Sequence, residues 1–377
     1  MKKIIIIQHE PLTKRTREIF YIDELLYVGF KIEYWNMSRY LYHGMSMPDE
    51  IKEEYCVEIN SRSELQDKLS QIDKNNNLFI VEVFDCWKYR DFYRLLKQSG
   101  CFTIKMQLYA TAVIPNDRIR RFIHENLSGK IRMINSYITQ RMYVFYHLIY
   151  NFRSFDVEIS SNPQLRCVQS VNINHPDYEK ALEDNNKPSL VNGEYAVFLD
   201  EYYPLHPDIR HLIDIRLNET DSYNYLYLMC EFFDNVEKQF DIRIVIAAHP
   251  KSNYTNVDFG NRSVFKYKTA QLIRHANFVI MHGSAAVAYA VIFQRPLLGC
   301  YTEDYKKKTR TMYDFACNQN KIFGAPFIQV EKYINSTLPM PLIDIEKCYN
   351  FKYVYLTRKE IADKKNKDII THCLKQL

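Results

Sequence analysis

Two successive arrays of strand and helix patterns, separated by one polar stretch, constrain this 377-residue chain more than any single motif does. The first opens with Lys3–Ile7, a continuous apolar run of isoleucines after the lysine, suited to a strand buried on both faces. Thr16–Gly29 follows with apolar residues at Ile19, Phe20, Ile22, Leu25, Leu26 and Val28, a helical spacing that Gly29 ends. Phe30–Trp35 then alternates as a second strand. A βαβ order of this kind implies a parallel sheet with right-handed crossovers. The pattern continues through a strand at Leu78–Phe84, a helix at Lys88–Gln98 stopped by Gly100, and a strand at Phe102–Tyr109. Helices are expected over Asp117–Asn126 and over the aromatic-rich Thr139–Phe152, the latter as a core element, with a last strand at Leu165–Ile173.

Between Asn174 and Gly193 the chain turns polar, with Asn185-Asn186-Lys187-Pro188 and Asn192-Gly193, which marks the expected junction. The second array runs through strand Tyr195–Leu199, helix Ser222–Phe240, strand Ile242–Ala247, helix Thr269–His275, strand Phe278–Met281, helix Ala285–Phe293 and strand Pro296–Cys300. Its length also speaks for two domains rather than one core. The expectation is an α/β protein with two Rossmann-like domains facing across a cleft: 1–185, 186–355, and a C-terminal helix within 356–377 that crosses back to the first domain.

Composition excludes several classes. The hydrophobic share of 47% and charged share of 25% are those of a globular protein. A net charge of +5, with no Arg-rich helix and no zinc-finger spacing, gives no reason to expect nucleic-acid binding. The basic run Lys306-Lys307-Lys308 with Arg310 reads as a solvated helix end or as a weak attraction to anionic head groups. Nine cysteines, odd in number and without a C-x-x-C pair, argue for reduced thiols in a cytosol and against a zinc site. No run of 18 apolar residues occurs, so membrane contact is expected to be peripheral at most. Neither G-x-x-x-x-G-K-S/T nor G-x-G-x-x-G is present, and no D-x-D motif; the nearest variant is Asp344-Ile345-Glu346. No cofactor and no metal are expected.

The chemistry is concentrated after the strands. Gly283 and Ser284 sit where strand Phe278–Met281 gives way to a helix, and a helix start offers N–H groups and partial positive charge to a phosphate. The same serine equally suits a capping role. His249-Pro250 follows strand Ile242–Ala247, and Asp200-Glu201 follows Tyr195–Leu199 directly. Both lie at the carboxyl ends of expected parallel strands, where α/β sheets bind ligands. His-Pro also occurs at His175-Pro176 and His206-Pro207, but only His249-Pro250 follows a strongly apolar strand; His206 and Asp208 stand close enough to Asp200-Glu201 to substitute in an acid–base role. After the first strand, Gln8-His9-Glu10 supplies second-rank catalytic candidates in His9 and Glu10.

The segment YKTAQLIRHANFVIMHGSAAVAYAVIFQRPLLG resembles the donor-binding half of GT-B glycosyltransferases, closely over about 60 residues from Ile242 to Cys300 and elsewhere as a pattern of elements. Many members that use UDP- or GDP-sugars carry a glutamate seven positions before the proline of the Gln294-Arg295-Pro296 turn, to grip the donor ribose; here Tyr289 stands there. Bacterial sialyltransferases of GT-B type are similar in a further way: an acidic pair, a His-Pro and a Ser-containing turn, in that order. This resemblance implies that Asp200 or Glu201 is the general base toward the acceptor hydroxyl. It implies that His249 contacts the nucleotide monophosphate and assists its departure, and that Ser284 binds the same phosphate. Pro250, Lys251, His282, Gly283 and Ala285 complete the expected donor-binding set. The family's acidic motif commonly ends in Gly, where this chain has Tyr202. The expected partners are a CMP-activated sugar, of the nonulosonic-acid kind, and a surface-glycan or lipid-linked acceptor. A UDP-hexose transferase, a nucleotide-sugar epimerase and a non-enzymatic binding protein are the alternatives on the same fold.

Overall fold

The structure, a computed structural model, describes residues 2–42, 47, 49–108, 127–150, 155–162, 168–207, 209, 217, 219–254 and 258–377. They form two compact units: one from the described residues of Met1–Leu108, Val113–Asn172 and Lys367–Leu377, the other from those of Ile173–Asn366. The helix expected over Asp117–Asn126 lies outside the described residues.

The first unit is built on seven parallel strands: β1 (Lys3–Gln8), β2 (Lys31–Asn36), β3 (Cys56–Glu58), β4 (Asn77–Glu82), β5 (Phe102–Gln107), β6 (Val157–Ser160) and β7 (Gln169–Asn172). They lie in the order β3-β2-β1-β4-β5-β6-β7. Helices cover both faces of the central strand, which is why Ile4 to Ile7 are wholly buried and why the run shows no alternation. The expected Thr16–Gly29 helix is instead two, Lys14–Ile19 and Ile22–Tyr27, joined through Tyr21 at φ 53°. In one continuous helix Phe20 and Ile22 would point about 200° apart; the break turns both into the core, where they are buried. The helix expected to start at Thr139 starts earlier, as Leu127–Ile149, and it is not a core element: most of its described apolar side chains are exposed. From the other end of the chain, Ile370 and Leu374 on the Asn366–Gln376 helix are buried.

The second unit has six parallel strands: β8 (Tyr195–Leu199), β9 (Arg243–Ala248), β10 (Val264–Lys266), β11 (Phe278–Met281), β12 (Leu297–Tyr301) and β13 (Phe327–Gln329). Their order is β10-β9-β8-β11-β12-β13. One apolar layer, including Tyr195, Val197, Leu272, Val279 and Phe351, covers one face; a second, including Phe198, Phe232, Phe233, Ile246 and Ile280, covers the other. Both units are therefore doubly wound parallel sheets. No helix among the described residues is long and apolar enough to cross a membrane.

Candidate functional site

In the second sheet the strand order reverses between β8 and β11, the point at whose carboxyl edge doubly wound sheets bind their ligands. Leu199, the last residue of β8, is in register with Met281 of β11 on one side and with Ala247 of β9 on the other. The residues that follow these strands, Asp200-Glu201, His282-Gly283-Ser284 and His249, are thereby brought to neighbouring strand ends.

Asp200 is 6% exposed. Its N–H donates to the Ala247 carbonyl at 3.2 Å, tying it to β9, and its Oδ2 accepts the Tyr202 N–H at 3.0 Å and the Tyr254 hydroxyl. Burial pushes its carboxyl up to about 7. Tyr202 has φ 55°, the left-handed region that favours glycine. This backbone is held by the Tyr202 N–H on Asp200 and by the ring lying edge-on to Tyr254 at 5.4 Å. Glu201 is half-buried, and its two oxygens are engaged inward: Oε1 accepts the Gly283 N–H at 3.0 Å and Oε2 the Tyr305 hydroxyl at 2.9 Å. Burial pushes this carboxyl up to about 8, and neighbouring Asp200 adds in the same direction.

His282 is placed differently from expectation. It is fully buried, its Nε2 pairs with the Tyr225 hydroxyl at 2.6 Å, its Nδ1 with the Cys300 carbonyl at 2.7 Å, and its ring stacks on Tyr305 at 4.9 Å. A carbonyl only accepts, so Nδ1 carries the proton and Nε2 receives the tyrosine's. Burial lowers the ring's pKa to about 4, which keeps it neutral. With both nitrogens engaged, His282 has no donor left for a ligand and is a core residue. Gly283 is required by packing, since a Cβ there would stand 2.7 Å from Ala316 Cα. Ser284 and Ala285 are half-buried. Ser284 Oγ accepts the Ala286 N–H at 3.2 Å, and its backbone is clamped by Gln319, which accepts from its N–H and donates to its carbonyl, both at 2.8 Å.

His249 is half-buried, its Nδ1 accepting the Lys251 N–H at 3.1 Å. This bond leaves Nε2 as the ring's protonated nitrogen in the neutral form. The His206 ring packs edge-on against it, with centroids 4.5 Å apart. Pro250 and Lys251 are half-buried beside it; Asp208 lies outside the described residues. Tyr289 is buried, its hydroxyl donating to Asp177 Oδ1 at 2.9 Å.

The first sheet reverses order between β1 and β4. His9, after β1, donates from Nδ1 to the Glu82 carbonyl at 2.6 Å, and its Nε2 lies 3.3 Å from Glu10 Oε1. Half-buried Glu82 itself pairs with Lys105 at 3.1 Å. Tyr254, Tyr305, Gln319 and Glu82 are contributors that sequence reasoning missed. None carries a local signal, because each acts on a residue tens of positions away. Two sequence features resolve into structural roles: Asp344 caps the Ile345–Phe351 helix through the Lys347 N–H at 3.1 Å, and Lys308 is paired with Asp221 and Asp304.

No known protein family matches the sequence, and neither does any curated protein. Solved structures share the fold at low identity. CalG4, the calicheamicin glycosyltransferase, aligns with a TM-score of 0.50 at 11% identity, over 100% of this chain and 98% of its own. The wall teichoic acid polymerase TagF aligns with a TM-score of 0.48 at 11% identity, over 100% of this chain and 90% of its own. The spinosyn forosaminyltransferase SpnP aligns at 0.46 and 10% identity, over 100% and 98%. The CalG4 likeness establishes the architecture: two Rossmann-like α/β units in one chain, the GT-B fold.

Proposed function

We propose that the chain is a glycosyltransferase that moves a nonulosonic acid of the sialic-acid kind from a CMP-activated donor to a hydroxyl of a surface-glycan acceptor. One observation carries the reading. The acidic pair, the His-Pro and the Gly-Ser turn, far apart in sequence, occupy three neighbouring strand ends at the point where the second sheet reverses. Asp200, with a carboxyl near 7, takes the proton from the acceptor hydroxyl as its oxygen attacks the anomeric carbon. The bond from that carbon to the phosphate oxygen breaks, and His249 Nε2 donates to the departing CMP phosphate. Ser284 and Ala285, with Pro250 and Lys251, flank that phosphate. Glu201 holds the turn in place rather than reacting. His9 and Glu10 serve the acceptor side.

The test is a thermal-shift panel with CMP, CDP, UDP, GDP and ADP, followed by CMP release from CMP-sialic acid with and without a glycan acceptor. Selective stabilisation by CMP and acceptor-dependent release are expected. Stabilisation by UDP instead would keep the class and overturn the donor. No response to any nucleotide and no transfer would overturn both.

A further inference from the structure

The helix Leu127–Ile149 packs on its own unit through a narrow face. Tyr143 and Tyr146 meet the Trp87 ring edge-on at 6.4 and 5.9 Å, the Tyr143 hydroxyl donates to Asp85, and His147 Nε2 lies 3.6 Å from the same carboxylate. The opposite side carries Ile131, Ile134, Ile138, Met142, Phe145 and Ile149, spaced by three or four residues so that they fall in one stripe. All six are exposed, Phe145 to 63%. Tyr137, Val144 and Leu148 widen the stripe, and Leu148 is 72% exposed. An apolar strip of this length on a water-facing surface marks a contact site.

Charge decides what covers it. From Leu127 to Ile149 the sequence holds Lys130, Arg132 and Arg141 and no Asp or Glu, while His147 is turned to Asp85 on the packed side. A second copy docked on this face would bring cation against cation. A bilayer with anionic head groups offers the complement: apolar acyl chains for the stripe and phosphates for basic side chains such as Arg141. Arg141 is already aligned along the helix, its Nε donating to the Tyr137 hydroxyl at 3.0 Å, with its guanidinium 5.1 Å from that ring. With 23 residues the helix extends about 34 Å, long enough to lie flat in the interface over its whole length.

We infer that this helix is an interfacial anchor that seats the chain on an anionic lipid surface, apolar stripe inward. The inference rests on the helix alone and stands apart from the donor assignment. It is tested with the full chain by flotation on phosphatidylcholine vesicles with and without about 30% phosphatidylglycerol. The chain is expected to float with the anionic vesicles, to be largely released at about 0.5 M salt, and to remain at the bottom with neutral ones. I138S/F145S should lower the partition about tenfold and R141E about fivefold. Thermal unfolding should match the unsubstituted chain, because these side chains are exposed. Failure of the unsubstituted chain to float, or unchanged flotation of I138S/F145S, would overturn the inference. So would a dimer, seen by sedimentation in the absence of flotation, that I138S/F145S abolishes: the stripe would then be an interface between copies.

Discussion

Glu201 Oε1 accepts the Gly283 N–H at 3.0 Å, linking the loop after β8 to the loop after β11 across the reversal of the second sheet. Tyr305 completes the tie from Oε2. With its carboxyl pushed up to about 8, Glu201 holds these partners mostly as a neutral acid at pH 7. E201Q keeps the acceptor for Gly283 and presents its amide to the Tyr305 oxygen, so it should cost under about 1 kcal/mol. E201A leaves a backbone N–H and a phenol unpaired and should cost about 2–3 kcal/mol. Denaturant unfolding at pH 7 separates them; equal losses would mean that the side chain is needed as an anion.

The same burial makes stability depend on pH in a definite direction. Asp200 and Glu201 rise from 3.8 and 4.5 to about 7 and about 8. Between those limits the folded chain holds protons that the unfolded chain has released. Their contribution therefore falls as pH rises from about 4 to 8, by about 1.4 kcal/mol per unit for each proton, and is lost above that range. The melting temperature should decline across pH 5 to 8, and D200N/E201Q should decline less. An identical decline in the double variant would show that neither carboxyl is the source.

If Asp200 is the base and His249 the group on the leaving phosphate, their losses should differ in kind. D200N should lower turnover by about 10²-fold or more and remove the rise in rate centred near pH 7. H249A should lower turnover by a similar factor and relieve the loss for donors with a better leaving group, because such donors need less help at the phosphate. Steady-state transfer rates across pH and across donors measure both. A change under about threefold in either variant would remove that residue from the mechanism.

The doubly wound class was legible because buried parallel strands announce themselves: Ile4 to Ile7 and Ala196 to Leu199 are apolar at every position, as burial on both faces demands. The short edge strands β10 and β13, three residues each, carry too little pattern to be read. Local reading also failed where two side chains compete for one core, as Phe20 and Ile22 do by breaking their helix. His282 was read as a ligand donor because a polar residue after a strand looks the same whether it faces the opening or the core. Its partners Tyr225 and Cys300 are distant in sequence, and only the fold reveals that they take both ring nitrogens. Tyr202 shows the converse: its left-handed backbone makes a turn that no glycine announces in the sequence.

The packing behind the site offers a prediction independent of the chemistry. Gly299, in β12, faces Asn320 so closely that a Cβ would lie 2.2 Å from its Oδ1 and 2.4 Å from its Cγ. Asn320 is wholly buried, and its Nδ2 donates to the His282 carbonyl at 2.9 Å and to the Ala316 carbonyl at 2.8 Å. G299A should push the amide off both carbonyls and cost about 2–4 kcal/mol, combining overpacking with lost hydrogen bonds. N320A removes the same bonds without a clash and should cost about 2 kcal/mol. In G299A/N320A the added methyl enters the space the amide vacates, so the double variant should be more stable than the sum of the single losses by at least about 1 kcal/mol. Denaturant unfolding of the four proteins closes the cycle. Additive losses would mean that the strand and the helix bearing Asn320 stand farther apart than this contact requires.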